Sequence, residues 1–400
     1  MMKKTTNGYV KLGALLAASI LLLTSCGGEQ ASNLVGTGVE IPEYEIEERE
    51  LPESEALTFV KNMKIGWNLG NTLDSNAKTS VEMAAETSWG SPMITEEMID
   101  DIKKAGFNTI RIPVTWHTHV DENLQISEYW AGRVKEIVDY AYNRKMYVII
   151  NIHHDMEKGF YYPSYETLDR SLEFSNAVWT QLCEIFKDYD EHLIFESINE
   201  PRQTGTNNEW WLDTKSELAK EAIDCIMQCN QAFVDIVRAS GGNNATRYLM
   251  TPSYCASPVY ACDDLFSLPE DPAGRVIVSV HAYEPNNFAL SDDMNYTTFS
   301  VGRTSTPIKS VMDQLYEKYT SKGIAVVIGE FGSRNKNDNL DARIDHAAYY
   351  VSEARAAGIT CVWWDNNAFS GGGELFGLYD RNAMEWKYPD IALALMKNCE

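Results

Sequence analysis

The chain has 400 residues, of which 44% are hydrophobic, and its glycine and proline contents are ordinary for a globular protein. This length suits either two small domains or one large α/β barrel. The 58 acidic residues outnumber the 34 basic ones and give a formal charge of −24. Because such a surface repels phosphate backbones, we expect no nucleic-acid partner. The charge suits a neutral polymer as partner, or it simply keeps the chain in solution. We expect the protein to be a monomer.

The first 25 residues are typical of a signal peptide. Three lysines precede an apolar run over 12–23 that is too short to span a bilayer as a mature helix. The run ends in Leu-Thr-Ser-Cys at 23–26, which is similar to a bacterial lipobox with a lipidated cysteine. We therefore predict a lipoprotein signal peptide over 1–25 and lipidation of Cys26. The protein would then be extracellular or at the cell surface, held by its lipid anchor to a bacterial membrane. An ordinary signal peptide with a chance cysteine is the alternative.

The segment after Cys26 has a composition that favours an unfolded chain. From Gly27 to about Ser54 it is rich in glycine, serine and glutamate, and its like charges favour extension. We predict a flexible acidic tether over 26–54 and one folded domain over 55–400.

Seven cysteines remain after Cys26, and their odd number and spacing indicate neither a disulfide framework nor a zinc site. Cys255 and Cys262 flank a short loop, so they form a candidate pair. The sequence does not decide between that disulfide and two free thiols.

Beyond the tether, helix and strand patterns alternate along the chain. Thr95 is typical of a helix N-cap, and Gly106 ends that helix just before the strand Thr109–Val114. Other apolar runs are typical of parallel strands buried on both faces. The predicted strands are 64–69, 109–114, 146–152, 193–199, 248–251, 276–281, 324–329 and 359–364. Eight strands with helices between them predict an α/β fold, a single (β/α)8 TIM barrel. A doubly wound sheet is the alternative, but no glycine-rich phosphate loop follows the first strand.

Polar and aromatic side chains follow the predicted strands, at the end where barrels of this kind carry their active sites. Any one of them has a structural explanation, as a turn residue or a core aromatic. Together they place arginine, histidine, glutamate and tryptophan on one rim. The candidates are Asn71, Arg111, His153, His154, Asn199, Glu200, His281, Tyr283, Glu330 and Trp364.

Two glutamates in this set suit the hydrolysis of a glycosidic bond, which needs two carboxylates facing one sugar linkage. Glu200 and Glu330 end the fourth and seventh predicted strands, across the barrel mouth from each other. We expect Arg111 and Tyr283 to keep Glu330 ionised as a nucleophile. The charge of Glu330 would then raise the pKa of Glu200 and keep its proton in place.

Other candidates suit contacts with a sugar. Asn199 suits the sugar 2-hydroxyl, and Trp364 offers a flat apolar face to a pyranose ring. Trp363 and Trp364 are adjacent, so only one can face the cleft, and we choose Trp364. The loops after the predicted strands contribute further tryptophans, either as stacking platforms or as packing: Trp89, Trp116, Trp210 and Trp211.

Several motifs, in this order along the chain, resemble those of glycoside hydrolase family 5. They are Ile152-His153-His154, Ile198-Asn199-Glu200-Pro201, His281-Ala282-Tyr283 and Ile328-Gly329-Glu330-Phe331-Gly332. The run from Gly66 to Asp74, together with Trp363-Trp364-Asp365-Asn366-Asn367, looks most like the bacterial endo-β-1,4-glucanase branch of that family. The resemblance covers about residues 56–398.

The resemblance implies a retaining, endo-acting hydrolase of β-1,4-glucan-type polysaccharide that needs neither metal nor cofactor. It implies Glu200 as general acid/base and Glu330 as nucleophile. It further implies substrate contacts from Asn71, Asp74, Arg111, His153, His154, Asn199, His281, Tyr283 and Trp364. Cellulose-like glucan, mixed-linkage glucan and xyloglucan are the expected substrates, and xylan or mannan on the same barrel is the alternative.

Two other classes of protein compete with this interpretation. A metal-dependent amidohydrolase, also a barrel, needs a His-x-His pair that ends its first strand. Here the first strand ends in asparagines, and the pair His117-Thr118-His119 follows the second. A non-catalytic glycan-binding lipoprotein could lose a carboxylate, whereas both Glu200 and Glu330 are present.

Overall fold

The computed structural model describes residues 34–77 and 82–400. The predicted signal peptide, Cys26 and the first part of the predicted tether lie outside this range. Within these described residues, none of the helices has the length and apolarity required to cross a membrane.

Eight parallel strands close into a barrel in the order of the chain, and the eighth pairs with the first. The strands are β1 (Ile65–Leu69), β2 (Thr109–Ile112), β3 (Tyr147–Asn151), β4 (Leu193–Glu196), β5 (Leu249–Pro252), β6 (Val276–His281), β7 (Val326–Phe331) and β8 (Thr360–Asp365). All are almost completely buried, as parallel strands covered on both faces must be. The predicted TIM barrel is confirmed.

Helices connect the strands and surround the barrel. Those of the described residues are α1 (Glu55–Asn62), α2 (Met83–Glu86), α3 (Glu96–Ala105), α4 (Glu128–Tyr142), α5 (Leu168–Ile185), α6 (Glu217–Ala239), α7 (Pro258–Cys262), α8 (Asn286–Ala289), α9 (Thr306–Lys318), α10 (Leu340–Ala356) and α11 (Pro389–Asn398). A short hairpin, β9 (Tyr379–Asp380) with β10 (Glu385–Trp386), lies between β8 and α11. The predicted boundaries of α3 hold, since the Thr95 hydroxyl accepts from the amide of Met98 and Gly106 adopts a φ of 113°.

Two apolar layers fill the fold. The larger lies between the strands and the surrounding helices, and the smaller fills the barrel interior. Helix α1 closes the N-terminal end of the barrel, where Phe59 stacks on Tyr248 with ring centroids 3.7 Å apart. Because the floor is packed with side chains, a substrate can approach only at the opposite end, where the strands terminate.

Residues 34–54, which we call the strap, lie along the outer helices and lead into α1. The Thr37 amide and hydroxyl both donate to Asp390 on α11, at 2.9 and 2.8 Å. The Tyr44 amide donates to Asn398 at the other end of α11. Arg49 pairs with Asp313 at 2.6 Å. The predicted flexible tether is therefore wrong for residues 34–54.

The correction has a physical reason in the alternation of the strap. Tyr44 and Ile46 are half-buried and pack against the core, whereas Glu43, Glu45 and Glu47 between them are exposed. A period of two is typical of an extended segment with one buried face. The glutamate content hid this pattern, because composition alone does not distinguish an extended packed segment from a disordered one.

Candidate active site

The two predicted catalytic carboxylates face each other at the mouth of the barrel. One oxygen of Glu200, one of Glu330 and a ring nitrogen of His281 all lie within 4.8 Å of one another. The His281 Nδ1 atom is 2.8 Å from Glu200 Oε1 and 3.6 Å from Glu330 Oε2. Retaining glycosidases hold their carboxyl groups about 5–5.5 Å apart, and inverting ones about 6.5–9.5 Å. The spacing here suits direct attack by one carboxylate.

Arg111 on β2 organises the floor of the site. Its fully buried guanidinium donates through Nη1 to Glu330 Oε1 at 2.8 Å and through Nη2 to Asn199 Oδ1 at 2.7 Å. Its Nε donates to Glu196 at 2.8 Å. A planar group with partners in three directions fixes the orientation of each of them. Arg111 therefore aims Glu330 as well as balancing its charge.

A third buried carboxylate, Glu196 at the end of β4, lies beneath this pair. It also accepts from Asn151 at 2.9 Å and from Ser279 at 2.5 Å. Asn68 on β1 accepts from Arg111 and donates to the carbonyl of Gly329. The sequence analysis did not select Glu196, although a charged residue in the otherwise apolar run 193–196 was a usable signal.

The remaining contacts orient groups toward the space above the carboxylates. The Tyr283 hydroxyl donates to Glu330 Oε2 at 2.8 Å. Burial, followed by the charge of Glu330, raises the pKa of Tyr283 well above its usual value, so the phenol keeps its proton. Asn199 uses its oxygen on Arg111, which leaves its Nδ2 group as the donor available to a ligand.

The two carboxylates have opposite pKa shifts. Burial raises the pKa of Glu330 despite the opposing charges of His281 and Arg111. Burial acts on Glu200 in the same direction, but the hydrogen bond and charge of His281, followed by the charge of Arg202, outweigh it and lower the pKa. This order is the reverse of the sequence-based expectation. The reason is the contact between His281 and Glu200, which brings together residues 81 positions apart.

A second group of polar side chains lies beside the pair. Asp74, His153 and His154 have side-chain oxygen or nitrogen atoms within 4.8 Å of one another. Burial raises the pKa of Asp74 to about 6 and lowers that of His154 to about 4. Asn71 has a left-handed φ of 54°, and its amide donates to Asp74 at 3.0 Å. Asn71 thus forms the turn that orients the carboxylate of Asp74.

The two adjacent tryptophans point in opposite directions. Trp364 stacks parallel to His153 with ring centroids 5.9 Å apart, on the side of the site. Trp363 packs against Phe331 in the outer core, and its indole donates to the carbonyl of Phe376. The backbone of Gly70 lies so close to Trp364 that a Cβ atom there would be 2.8 Å from the indole.

The other tryptophans differ in exposure. Trp116 is fully buried and is therefore packing, whereas Trp89 is 39% exposed and its ring lies 5.5 Å from that of His154. Trp210 and Trp211 are 60% and 67% exposed. Three of these four indoles are thus exposed to solvent in loops that follow the strands.

In both groups, the side-chain oxygen and nitrogen atoms are close enough together to hold a cation. Their hydrogen bonds indicate whether these atoms are available as metal ligands. Glu330 already accepts from Arg111, whose fixed charge repels a metal ion. The amide Nδ2 of Asn151, which can only donate, lies 3.1 Å from His153 Nδ1. His153 Nδ1 therefore accepts, and the ring proton is on Nε2. A protonated Nε2 donates a hydrogen bond and does not ligate metal. The donor set suits proton transfer and sugar recognition.

Among the described residues, no cysteine forms a disulfide. Cys255 and Cys262, the candidate pair, are both free, and burial raises the pKa of each thiol. Cys255 donates to the carbonyl of Glu209.

A second side chain at the site, in addition to Glu196, was missed in the sequence analysis. Arg202 approaches Glu200 from the following loop, with Nη1 3.5 Å from Glu200 Oε2. It directly follows the Asn-Glu-Pro motif, so its position was a usable signal.

Comparison with known proteins agrees with this geometry. The family model "Cellulase (glycosyl hydrolase family 5)" matches residues 73–370. The chain belongs to glycoside hydrolase family 5. This family assignment agrees with the motifs and with the paired carboxylates at the barrel mouth.

Individual relatives cover most of the chain. Endoglucanase A from Clostridium longisporum is 41% identical over 382 residues, covering 94% of this chain and 72% of that protein. A solved complex of a lichenase from Caldicellulosiruptor sp. F32 with cellotetraose is 51% identical, with a TM-score of 0.88, over 90% of this chain and 100% of the other. A GH5-4 broad-specificity endoglucanase from Ruminococcus champanellensis with bound cellotriose is 40% identical, with a TM-score of 0.80, over 87% and 100% of the two chains.

Proposed function

We propose that this family 5 protein is a retaining, endo-acting hydrolase of β-1,4-glucan-type polysaccharide, with Glu330 as nucleophile and Glu200 as general acid/base. The observation that carries the proposal is the pair of carboxylates within 4.8 Å at the mouth of a barrel. The similarity to endoglucanases and to a lichenase supports the β-glucan substrate. The stacked Trp364 and the exposed rim tryptophans support binding of a long chain.

In the first step, Glu330 attacks the anomeric carbon while Glu200 gives its proton to the departing glycosidic oxygen. Arg111 and Tyr283 hold the two oxygens of Glu330 and set its line of attack. Arg111 stays charged at any pH of interest, which favours ionised Glu330. A neutral His281 can accept at Nδ1, which lets Glu200 carry the proton of the pair.

In the second step, Glu200 removes a proton from water, and the water attacks the glycosyl-Glu330 ester. The bond to Glu330 breaks, the sugar keeps its β-configuration, and Glu200 regains a proton. Asn199 Nδ2 suits the 2-hydroxyl, whose hydrogen bond strengthens in both transition states. Asp74 and His153 suit the hydroxyl groups of the sugar that becomes covalently bound, and this side of the cleft includes Trp364.

The test is reducing-sugar release from a panel of polymers by the full chain, with product configuration followed by proton NMR. We expect hydrolysis of carboxymethylcellulose, mixed-linkage glucan or xyloglucan, β-configured initial products, and full activity after dialysis against EDTA. Exclusive activity on xylan or mannan would overturn the substrate. Initial α-products would overturn the retaining mechanism, and loss of activity that zinc restores would favour a metal hydrolase.

We also propose that the protein is lipid-anchored through Cys26 at the outside of a bacterial membrane. The support is the apolar run that ends in Leu-Thr-Ser-Cys. Two acyl chains anchor stably where one binds reversibly. We expect the full-length protein to partition into detergent and Cys26→Ser to remain aqueous. A wild-type protein that stays aqueous and appears free in the medium would contradict the anchor.

A further inference from the structure

Arg202 occupies an unusual position between the candidate acid/base and the rim. Its Nη1 atom donates to the main-chain carbonyl of Glu200 at 3.0 Å and lies 3.5 Å from Glu200 Oε2. Its Nε atom donates to Glu209 Oε1 at 3.3 Å. Its guanidinium lies 4.1 Å from the ring centroid of Trp210. A single cation therefore touches the carboxylate, a second carboxylate and an exposed indole.

Several hydrogen bonds hold the loop that contains Glu209 and Trp210. Glu209 Oε2 accepts from the amide of Gly205, and the amide of Gln203 donates to the Tyr254 hydroxyl. The Leu212 amide donates to Tyr260. Because the loop is tied at several points, Arg202 has one preferred position, and its side chain is only 11% exposed. An arginine held in this way loses little entropy when it contacts Glu200.

We propose that Arg202 is a positioning residue that stabilises the carboxylate form of Glu200 in the second half of double displacement, and that Trp210 and Glu209 hold it there. The proposal rests on the proposed function of Glu200. In the first step Glu200 loses its proton to the leaving group and becomes charged. The adjacent guanidinium offsets this new charge until Glu200 takes a proton from water.

Other groups also act on Glu200, so the contribution of Arg202 must be separated from theirs. The titratable groups whose charges act on Glu200, or that feel its charge, are His154, Cys255, His281, Tyr283, Glu330 and Glu374. Among the described residues, His281 and Arg202 have atoms within 3.5 Å of the Glu200 carboxylate, and a guanidinium, unlike an imidazole, keeps its charge throughout the working pH range. The effect of Arg202 is therefore a constant lowering of the Glu200 pKa at all working pH values.

The experiment compares Arg202→Met, Arg202→Lys and wild type across pH on two substrates, an unactivated cello-oligosaccharide and an aryl β-cellobioside with a good leaving group. The loss of positive charge raises the pKa of Glu200, so the basic limb of kcat/KM on the oligosaccharide, whose departure requires the Glu200 proton, moves to higher pH in Arg202→Met. At pH values below that limb, less Glu200 is available as a base, and kcat on the aryl cellobioside falls by about tenfold because deglycosylation limits this substrate. Arg202→Lys should keep most of the wild-type limb position.

Arg170→Met is the matched control, because Arg170 also pairs with a glutamate, Glu173, and lies over an aromatic ring, Phe160. It should leave the pH limb in place. Trp210→Ala should move the limb in the same direction as Arg202→Met, and Trp211→Ala should not. This pair keeps the proposal testable if Arg202→Met fails to fold.

A uniform loss of activity without a shift of the basic limb would overturn the proposal and make Arg202 merely structural. An equal shift in Arg170→Met would overturn it too. These results are distinguishable from failure of the proposed function, in which the wild type itself would not hydrolyse the cellobioside.

Discussion

At the residue scale, the site depends on one buried cation. Arg111 contacts Glu330, Glu196 and Asn199 with different nitrogens. Two anionic partners within 2.8 Å stabilise its charge in a fully buried position, where an unpaired charge would cost several kcal/mol. The same contacts fix the angle at which Glu330 meets a substrate. Orientation and charge balance therefore come from the same side chain.

Arg111→Lys tests this double role. An ammonium reaches one partner well but does not donate in three fixed directions, so kcat/KM should fall about 100-fold or more. Arg133→Lys is the matched control, since Arg133 is a buried arginine that pairs with Glu86 and contacts none of the site residues. Near-wild-type turnover of Arg111→Lys would show that Arg111 serves only in packing.

The assigned roles of the two glutamates predict different failures. With an activated aryl glycoside, Glu330→Ala should react only when azide is added, and the product is the inverted glycosyl azide. Glu200→Ala should still form the covalent intermediate, because a good leaving group scarcely needs a proton, and azide should then give the retained product. Both configurations are readable by NMR. The opposite pattern would exchange the roles of the two residues.

At the element scale, the strap extends the domain beyond the predicted barrel start. It contacts α9, α10 and α11, and the backbone of Arg49 donates to the carbonyl of Ala356 at the end of α10. Arg49 Nη2 lies 3.2 Å from Glu353 Oε2, and the side chain of Glu353 is only 3% exposed. The strap thus joins helices from the last quarter of the chain to the segment that enters α1.

Arg49→Ala should therefore destabilise the fold, whereas a free tether would tolerate it. Removal of the guanidinium leaves Glu353 with less compensation for its buried charge, at a cost of about 1–3 kcal/mol in the free energy of unfolding. Urea denaturation of the full chain measures this. Glu47→Ala, an exposed change in the same strap, is the control and should have little effect. Equal stability of the two variants would restore the tether interpretation of this segment.

At the scale of the whole molecule, several buried histidines link the stability of the fold to pH. Burial lowers the pKa of His119, His154 and His346 to about 4, and that of His153 well below its usual value. Each is neutral when folded, while the unfolded chain takes up a proton near pH 6.5. Their contribution to stability is present above about pH 6.5 and is lost as the pH falls toward 4.

The free energy of unfolding should therefore fall between pH 6.5 and 4, by roughly 2–3 kcal/mol for each fully buried histidine. His346→Gln should flatten this part of the profile. His192→Gln is the control, because His192 is partly exposed beside Asp190. Asp74 acts in the opposite sense, since its raised pKa of about 6 makes its ionisation costly as the pH rises from about 4 to 6. A flat profile in the wild type would contradict this account.

The sequence by itself determined the barrel and predicted most of the side chains that meet at its rim. Apolar runs set the eight strands, because a parallel strand covered on both faces requires them. The polar residue after each run marks the rim, so Glu200, Glu330, Arg111 and Tyr283 followed from position alone. The choice of Trp364 over Trp363 followed from the resemblance, and the structure places Trp364 against His153.

Only the tertiary structure decided which of these groups touch. His281 meets Glu200 across 81 residues and reverses the expected pKa order, and Arg202 contacts Glu200, Glu209 and Trp210 together. The strap reaches α11 across about 350 residues. Local patterns record which face of an element is buried, because that follows from spacing along the chain. They do not record the partner, because closing the barrel brings distant strand ends together, and the charges and hydrogen bonds that tune each group arise only there.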